Sequence, residues 1–399
     1  MNKKTVRDVN LSGKRVLMRV DFNVPIDNGA ITDDTRIQAA LPTIKHVLDQ
    51  GARLVLMSHL GRPKGEKNPE FSLKPVADYL SGLLDGPVQM APDTIGGEVS
   101  ALVNGLESGG VVLLENTRFY AEEEGKNCTQ EEQETFAKAL AELGDVYVND
   151  AFGTAHRSHA STAVVCKYMD TCVAGLLMEK ELDYLGGAVE NPERPFIAVI
   201  GGAKISGKLE VLRTLIEKVN TILIGGGMAY TFYKALGHRI GGSLVEDDLV
   251  DTARETMDLA KSNNVSFMLP VDNVIADKFD ADASTQTVGE EIPDGWMALD
   301  IGPATAAAYA AEIGKAKTVL WNGPMGCFEM APFATGTFEV AKAIANSACV
   351  SIIGGGDSVS AVNKSGLADS MSHISTGGGA SLEFLEGKEL PGVAALDDK

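Results

Sequence analysis

The stretch GLLMEKELDYLGGAVENPERP, residues 175–195, stands where the composition of the chain changes. Apolar and charged side chains alternate with helical spacing over residues 176–185, which predicts an amphipathic helix. The breakers Gly186-Gly187, Asn191-Pro192 and Arg194-Pro195 follow and predict that the helix ends and an extended segment begins. We therefore interpret the stretch as a connection between two domains.

The two sides of this stretch carry different kinds of residue. Eight of the twelve arginines lie at or before Arg157, and none follows Arg254. The three Gly-Gly-Gly runs, at residues 225–227, 354–356 and 377–379, all come after the stretch. Arginine forks suit carboxylates and phosphates, whereas glycine turns at strand ends let a nucleotide approach the backbone closely. The pattern predicts an anion-binding half followed by a nucleotide-binding half.

Length, charge and cysteine content exclude several classes of protein. A chain of 399 residues with 44% apolar content indicates a folded protein of two domains. The net charge of −20 disfavours nucleic acid and anionic lipid as partners, and no apolar window is long enough to span a membrane. The five cysteines lack C-x-x-C spacing and the N-terminus lacks an apolar signal region, so we expect a cytoplasmic protein with reduced thiols and no zinc site.

Apolar β-rich runs alternate with helical patterns along the whole chain. The predicted strands are residues 15–20, 53–58, 111–114, 146–148, 196–200, 221–224, 266–269, 318–321 and 350–353. This alternation predicts an α/β fold of two doubly wound, Rossmann-like parallel-sheet domains, joined by a central helix with a cleft between them. Ligands of such sheets bind beyond the carboxyl ends of the strands, so the residues that follow each strand are the candidates for function.

In the first half an arginine follows each of the four predicted strands within a short reach. These are Arg36, Arg62, Arg118 and Arg157. Asp21 and Asn23, which follow the first strand, add hydrogen-bond acceptors and a donor. The mixture suits a polyhydroxy acid that carries a phosphate. His156 and His159 could instead be bases or metal ligands, but no H-E-x-x-H pattern surrounds them, so anion contact or local hydrogen bonding is favoured.

In the second half, residues 202–208 match G-x-x-x-x-G-K, the first seven positions of a phosphate-binding P-loop. The eighth position is Leu209, where a magnesium-binding Ser or Thr should stand, so an ordinary P-loop NTPase is disfavoured. The backbone amides of residues 355–358, at the start of a predicted helix, would form a phosphate site. Asp357 beside them is placed to bind Mg²⁺ that bridges phosphate oxygens.

Seven segments together resemble the phosphoglycerate kinase family. They are RVDFNVP at 19–25, SHLGRP at 58–63, ENTRF at 115–119, NDAFGTAHRSHAS at 149–161, GGAKISGK at 201–208, WNGPMGCFE at 321–329 and GGGDS at 354–358. The resemblance implies a monomer with Mg²⁺ as cofactor. It implies reversible phosphoryl transfer between 1,3-bisphosphoglycerate and ADP, which gives 3-phosphoglycerate and ATP.

The resemblance also implies domain limits and site residues. The implied domains are residues 1–175 for phosphoglycerate, 176–195 as interdomain helix and hinge, and 196–388 for nucleotide, with the tail 389–399 packing back on the first. Implied substrate contacts are Asp21, Phe22, Asn23, Arg36, His59, Leu60, Gly61, Arg62, Arg118 and Arg157. Implied nucleotide contacts are Gly201, Gly202, Lys208, Gly225, Gly226, Asn322, Pro324, Glu329, Gly355, Gly356, Asp357 and Ser358. Implied catalytic groups are Arg36, Lys204, Lys208, Gly355 and Gly356, with Asp357 as the magnesium ligand.

The chemistry of these residues is consistent with that reaction. A carboxylate acceptor is already ionised at neutral pH, so no general base is needed, and we expect catalysis by domain closure and by neutralisation of the transferred phosphoryl. A two-lobed binding protein that closes on an anion without turnover is the alternative from another class. A binding protein of that kind would not need Lys204, Lys208 and Asp357, which suit a nucleotide and a metal ion. A nicotinamide dehydrogenase is a weaker alternative, because no G-x-G-x-x-G with an acidic residue about 20 positions later is present.

Overall fold

The computed structural model describes residues 2–84 and 86–399, and the chain divides into two compact units. The first unit comprises the chain up to Asp183 together with Glu389–Lys399, and the second comprises Tyr184–Lys388. Each unit contains one six-stranded sheet in which all neighbouring strands are parallel. The α/β class predicted from the alternation of strands and helices is therefore confirmed.

The sheet of the first unit has the strand order β5-β6-β4-β1-β7-β8, and β2 and β3 form a separate antiparallel hairpin. The strands are β1 (Arg15–Arg19), β2 (Ile26–Asp27), β3 (Ala30–Ile31), β4 (Arg53–Met57), β5 (Val88–Met90), β6 (Val111–Leu113), β7 (Val146–Asn149) and β8 (Cys172–Ala174). The helices are α1 (Thr35–Asp49), α2 (Lys74–Leu83), α3 (Gly97–Asn104), α4 (Ala121–Glu124), α5 (Gln130–Ala141) and α6 (Leu176–Glu190). Val16, Met18 and Leu54 are among the fully buried side chains of the core on one face of this sheet.

The sheet of the second unit has the strand order β11-β10-β9-β15-β16-β17, and β13-β12-β14 form a small antiparallel sheet. The strands are β9 (Phe196–Ile200), β10 (Thr221–Ile224), β11 (Ser266–Met268), β12 (Asn273–Ala276), β13 (Thr285–Val288), β14 (Met297–Ile301), β15 (Thr318–Asn322), β16 (Val350–Gly354) and β17 (His373–Ile374). Along the chain, β9, β10 and β11 follow one another towards one edge of the sheet, and β15, β16 and β17 follow one another towards the other edge. The strand order therefore reverses between β9 and β15, which is where such sheets bind ligands.

The helices of the second unit connect these strands. They are α7 (Leu209–Ile216), α8 (Ala229–Leu236), α9 (Val250–Ser262), α10 (Pro303–Ile313), α11 (Thr335–Ala345), α12 (Gly356–Ser365) and α13 (Gly379–Leu385). Short 3₁₀ helices occur in both units, at Pro69–Phe71, Thr117–Phe119, Phe152–Thr154, Val164–Tyr168, Asp247–Leu249, Ala331–Phe333 and Ala368–Ser370. In the described part of the chain no helix is both long enough and apolar enough to cross a membrane.

The central helix runs further than the sequence predicts. We expected Gly186-Gly187 to end it, but α6 continues through both glycines to Glu190 and stops directly before Asn191-Pro192. Glycine in a helix costs about 1 kcal/mol relative to alanine, which the burial of Met178, Leu182 and Leu185 on the same helix can offset. The boundary between the two units falls inside this helix, at Asp183 and Tyr184.

The C-terminal segment is part of the first unit. Helix α14 (Pro391–Ala394) and the residues after it bury Val393 and Leu396, which are 1% and 3% exposed. The amide of Asp397 donates to the carbonyl of Cys172 on β8, and the Asp397 carbonyl accepts from the amide of Lys4, both at 2.8 Å. The tail thus joins the N-terminus to the edge of the first sheet.

Truncating Leu396 tests how much the tail stabilises the first unit. Leu396→Ala should lower the free energy of unfolding by roughly 2–4 kcal/mol, because a buried leucine loses its apolar contacts and leaves a cavity. Urea unfolding measures this loss, and Leu236→Ala, at a position 55% exposed, is the matched control. Equal effects of the two substitutions would contradict a stabilising role of the tail.

Candidate functional site

Hydrogen bonds connect the loops that follow β1, β4 and β6 in the first unit. The side-chain oxygen of Asn23 accepts from the amide of Gly61 at 2.8 Å. Asn116 accepts from the amide of Leu60 at 3.2 Å and donates to the Leu60 carbonyl at 2.7 Å. The Ser58 hydroxyl accepts from the amide of Phe22 at 2.8 Å. The motifs separated in the sequence are therefore one connected surface at the carboxyl edge of the first sheet.

Arg36, at the start of α1, is anchored to the loop after β1. Its guanidinium donates to the carbonyl of Asn23 at 2.8 Å and to the carboxylate of Asp21 at 3.3 Å. The side chain of Arg36 remains 39% exposed while that of Asp21 is only 13% exposed. An arginine held from behind in this way can still present N–H groups to an anion.

Arg118 lies near both His59 and His159, and Arg157 lies near His159. Arg118 donates to the carbonyl of Gly61 at 2.9 Å and pairs with Glu124 at 3.2 Å, and burial lowers the pKa of Arg118. Burial and the charges of Arg19, Arg118 and Arg36 lower the pKa of His59 well below its usual range. Burial and nearby arginines, Arg157 among them, lower the pKa of His159 to about 3. Both imidazoles are therefore neutral at physiological pH.

The other predicted substrate contacts have different surroundings. Phe22 and Leu60 are buried in the hydrophobic core, so any contact with a ligand would come from their backbone. Arg62 and Arg157 are exposed at the surface. The structure thus brings Arg36 and Arg118 close to His59, and Arg118 and Arg157 close to His159.

Sequence reasoning missed a buried charged group beneath this surface. Arg19 and Glu123 are both fully buried, and their charged atoms approach to 3.9 Å. The hydroxyl of Ser161 accepts from Arg19 at 2.7 Å and donates to Glu123 at 2.6 Å. The signal in the sequence was an arginine inside an otherwise apolar strand, since a charge in such a position requires a buried partner.

In the second unit, backbone contacts between glycine-rich loops join the ends of β9, β10 and β15. The amide of Gly202 donates to the carbonyl of Pro324 at 3.0 Å, and the amide of Gly226 donates to the carbonyl of Met325 at 2.9 Å. A Cβ atom on Gly201 would lie 2.1 Å from the Pro324 oxygen, and one on Gly225 would lie 2.5 Å from the Met325 sulfur. A backbone oxygen thus requires glycine at position 201, whereas a Cβ atom at position 225 would have to displace the Met325 side chain.

Lys208 lies at the N-terminal end of α7, where it donates to the side-chain oxygen of Asn322. Burial lowers the pKa of Lys208 to about 8, and the nearby carboxylates of Asp357 and Glu386 partly oppose this effect. Lys204 is exposed and lies within electrostatic range of Glu246. Lys208 is therefore the lysine of the loop that faces the end of β15 and the start of α12.

The start of α12 lies beside Asn322. Gly355, with φ of 87°, is the residue directly before the helix. Gly356 and Asp357 begin the first turn of the helix, and both are exposed. The hydroxyl of Ser358 is buried and accepts from the amide of Gly323 at 2.5 Å, which ties α12 to the loop after β15. Free amides at a helix N-terminus attract anions, so this position suits a phosphate.

Glu329 is exposed, and its backbone carbonyl accepts from Lys364 near the end of α12 at 3.4 Å. Among residues 2–84 and 86–399 no three His, Cys, Asp or Glu side chains are grouped to hold a metal ion. Asp357 is a single exposed carboxylate next to a turn that suits a phosphate, and such a carboxylate would fit a magnesium ion that takes its other ligands from phosphate and water.

The family model described as phosphoglycerate kinase matches residues 6–388. A phosphoglycerate kinase of Chloroherpeton thalassium is 57% identical, and one of Clostridium botulinum is 56% identical. The alignment covers all of this chain in both cases, with 100% and 99% of the respective relatives.

Solved structures of phosphoglycerate kinases are similar to this chain as well. The structure from Coxiella burnetii has a TM-score of 0.90 at 43% identity, and that from Pyrococcus horikoshii has a TM-score of 0.84 at 36% identity. Each match covers 98% of this chain and 98% of the solved chain. The resemblance seen in the sequence motifs is confirmed.

The environment of Lys208 predicts its titration. In the unliganded protein its ε-amine should titrate near pH 8, because burial disfavours the ammonium form. Asp357→Asn should move this midpoint to lower pH, since it removes a carboxylate that stabilises the ammonium. The ¹³C shift of the lysine Cε reports the titration, and Lys208→Met identifies the signal. A midpoint near the ordinary value of 10.5 would contradict the burial of this amine.

Proposed function

The chain belongs to the phosphoglycerate kinase family, and from that premise we propose which groups perform the transfer between 1,3-bisphosphoglycerate and ADP. The proposal assigns the acid substrate to the first unit and the nucleotide to the second. The observation that carries it is the clustering of Arg36, Arg118 and Arg157 around two neutral histidines in a protein of net charge −20. Positive charge gathered in one place of an acidic protein suits a small anionic substrate.

The first unit would bind 3-phosphoglycerate through the loops after its strands. Arginine forks bind phosphate and carboxylate oxygens, and His59 adds a neutral donor. Asp21 and Asn23 have two uses in this proposal, since both already hold Arg36 and both can bond to the substrate hydroxyl. Arg62 is exposed, so its side chain would be able to reach the phosphate from the surface.

The second unit would bind the nucleotide along the ends of β9, β10, β15 and β16. The amides of residues 355–358 would contact phosphate oxygens, and Lys208 would neutralise the charge of the same group. The glycine loops at Gly201, Gly202, Gly225 and Gly226 leave no side chains in the way of the nucleoside. Glu329 is the residue expected from the family resemblance to accept the ribose hydroxyls.

The reaction needs positioning and charge rather than proton transfer. The attacking carboxylate of 3-phosphoglycerate is ionised at neutral pH, so no base has to remove a proton. Arg36, Lys204, Lys208 and the amides of Gly355 and Gly356 would stabilise the charge on the transferred phosphoryl. Asp357 would hold magnesium, which supplies further neutralisation of phosphate charge when bound. Closure of the two units on both ligands stays a prediction, which small-angle scattering with one and with both ligands would test.

Arg118→Ala tests the acid site. The substitution should weaken 3-phosphoglycerate binding by roughly 1.5–3 kcal/mol, because a charged hydrogen bond is lost, and should leave ATP affinity nearly unchanged. Calorimetric titration measures both affinities. Arg53→Ala is the matched control. Arg53 lies at the opposite, amino end of the same sheet, so this variant should bind 3-phosphoglycerate normally. Equal affinities in the two variants would count against the assignment of Arg118.

Asp357→Asn tests the magnesium site. The carboxamide keeps the shape but loses the charge that binds a hard cation, so turnover at ordinary Mg²⁺ should fall strongly and recover in part at high Mg²⁺. Binding of 3-phosphoglycerate should be unaffected, because Asp357 belongs to the second unit. Near-normal turnover at ordinary Mg²⁺ would refute the role of Asp357 as a magnesium ligand. The control is Asp369→Asn, which lies in the same unit but outside the site.

A further inference from the structure

The contacts of Arg19 determine which nitrogen of His59 carries the proton. Arg19 lies on β1 with no exposed surface, and its three kinds of nitrogen each have a partner. Nε donates to the Ser161 hydroxyl at 2.7 Å, one terminal nitrogen donates to the Val20 carbonyl, and the other lies 3.2 Å from Nδ1 of His59. An arginine has donors only, so Nδ1 of His59 must be the acceptor. In a neutral imidazole the proton is then on Nε2.

Glu123, on α4, completes the arrangement from the other side. Its carboxylate accepts from the amide of Ser161 at 3.0 Å and from the Ser161 hydroxyl at 2.6 Å. The same carboxylate lies 3.9 Å from the Arg19 guanidinium and 3.9 Å from Nδ1 of His159. Because a buried guanidinium without a counter-charge is costly, Glu123 makes the burial of Arg19 possible, and Ser161 fixes the angle between them.

We propose that Arg19, Ser161 and Glu123 are positioning residues that hold His59 as the neutral Nε2–H tautomer, so that it presents one donor to an acceptor oxygen of the acid substrate. The backbone of His59 is fixed as well, since its carbonyl accepts from the Ser58 hydroxyl at 3.0 Å. The claim about the ligand rests on the proposed function, whereas the claim about the tautomer does not.

Burial and the charged groups around His59 keep it in that state. Arg19 from β1, Arg118 from the turn after β6, Arg36 from α1 and His159 from the loop after β7 all disfavour a second proton on the ring. The carboxylate of Glu123 lies against Arg19, at 3.9 Å from its guanidinium. The arginines thus attract the substrate by charge, while His59 supplies direction and its donor does not depend on pH in the physiological range. A ligand with an ammonium group at this place would meet only donors and would be rejected.

The tautomer can be observed directly in the unliganded enzyme. In ¹⁵N spectra of the histidine side chains, His59 should show an unprotonated Nδ1 and a protonated Nε2 at every pH from 6 to 8, with its signals identified by their loss in His59→Gln. An Nδ1–H tautomer, an even mixture of the two, or titration of His59 within this range would overturn the proposal.

A paired substitution tests whether the buried group is the cause. Arg19→Met combined with Glu123→Gln removes both charges together, so neither is left unpaired. His59 should then populate both tautomers and titrate at a higher pH, and KM for 3-phosphoglycerate should rise by about tenfold with a dependence on pH that the wild type lacks. Glu122→Gln, on the same turn of α4, should leave the spectrum unchanged. A folded double variant with the wild-type His59 spectrum would overturn the proposal.

Adding 3-phosphoglycerate separates the two claims. A shift of the His59 Nε2 signal on binding supports the complete proposal. If the Nε2–H tautomer is present but 3-phosphoglycerate binds without moving that signal, the ligand contact of His59 is overturned and the tautomer assignment stands. If 3-phosphoglycerate does not bind at all, the proposed function of the first unit fails, and the spectrum of the free enzyme still decides the tautomer.

Discussion

Parallel pairing of the strands is the constraint on which the rest of this structure depends. In a parallel sheet every carboxyl end lies at one edge, so loops far apart in sequence become neighbours. The first unit uses this edge for arginines and histidines, and the second uses it for glycine turns and a helix N-terminus. Because six strands are aligned in each sheet, residues separated by more than a hundred positions, such as Lys208 and Asn322, are in direct contact.

In the proposed assignment, the two units would bind an anion in different ways. The first would use charged side chains. It therefore has to place cations next to one another, and the buried carboxylate of Glu123 compensates the charge of Arg19. The second uses backbone amides, which carry only partial charges and need no counter-ion. Its constraint is steric, since a Cβ atom on Gly201 would clash with the Pro324 carbonyl and one on Gly225 would press against the Met325 side chain. A substitution should therefore act mainly through charge in the first unit and through shape in the second.

Strong apolar runs made most of the fold predictable. All nine predicted strands are present, and each ends within one residue of its predicted position. Most of the strands that were missed are short, such as β17 with two residues, or polar and exposed, such as β13, so their side chains carry little pattern. Strand β14 was missed although it has five mostly buried residues, because Asp300 interrupts its short apolar run. The continuation of α6 through Gly186-Gly187 was missed because local propensity disfavours glycine and the burial that outweighs it is not visible in the sequence.

The candidate site was predictable where it consists of loops with distinctive residues after strands. The buried group of Arg19, Ser161 and Glu123 was not, because its members come from β1, α4 and the loop after β7 and meet only in the folded chain. The arginine inside strand β1 indicates that a buried partner is needed, but it does not indicate which residues supply it or that the group orients His59.

The central claim is that the chain transfers a phosphoryl group to a carboxylate and does so without hydrolysing ATP. The most direct measurement incubates the enzyme with ATP, Mg²⁺, 3-phosphoglycerate and hydroxylamine, which traps an acyl phosphate as a hydroxamate. ADP and hydroxamate should form in equal amounts, and without 3-phosphoglycerate neither ADP nor inorganic phosphate should accumulate. Release of inorganic phosphate in the absence of the acid, or no ADP in its presence, would contradict the account.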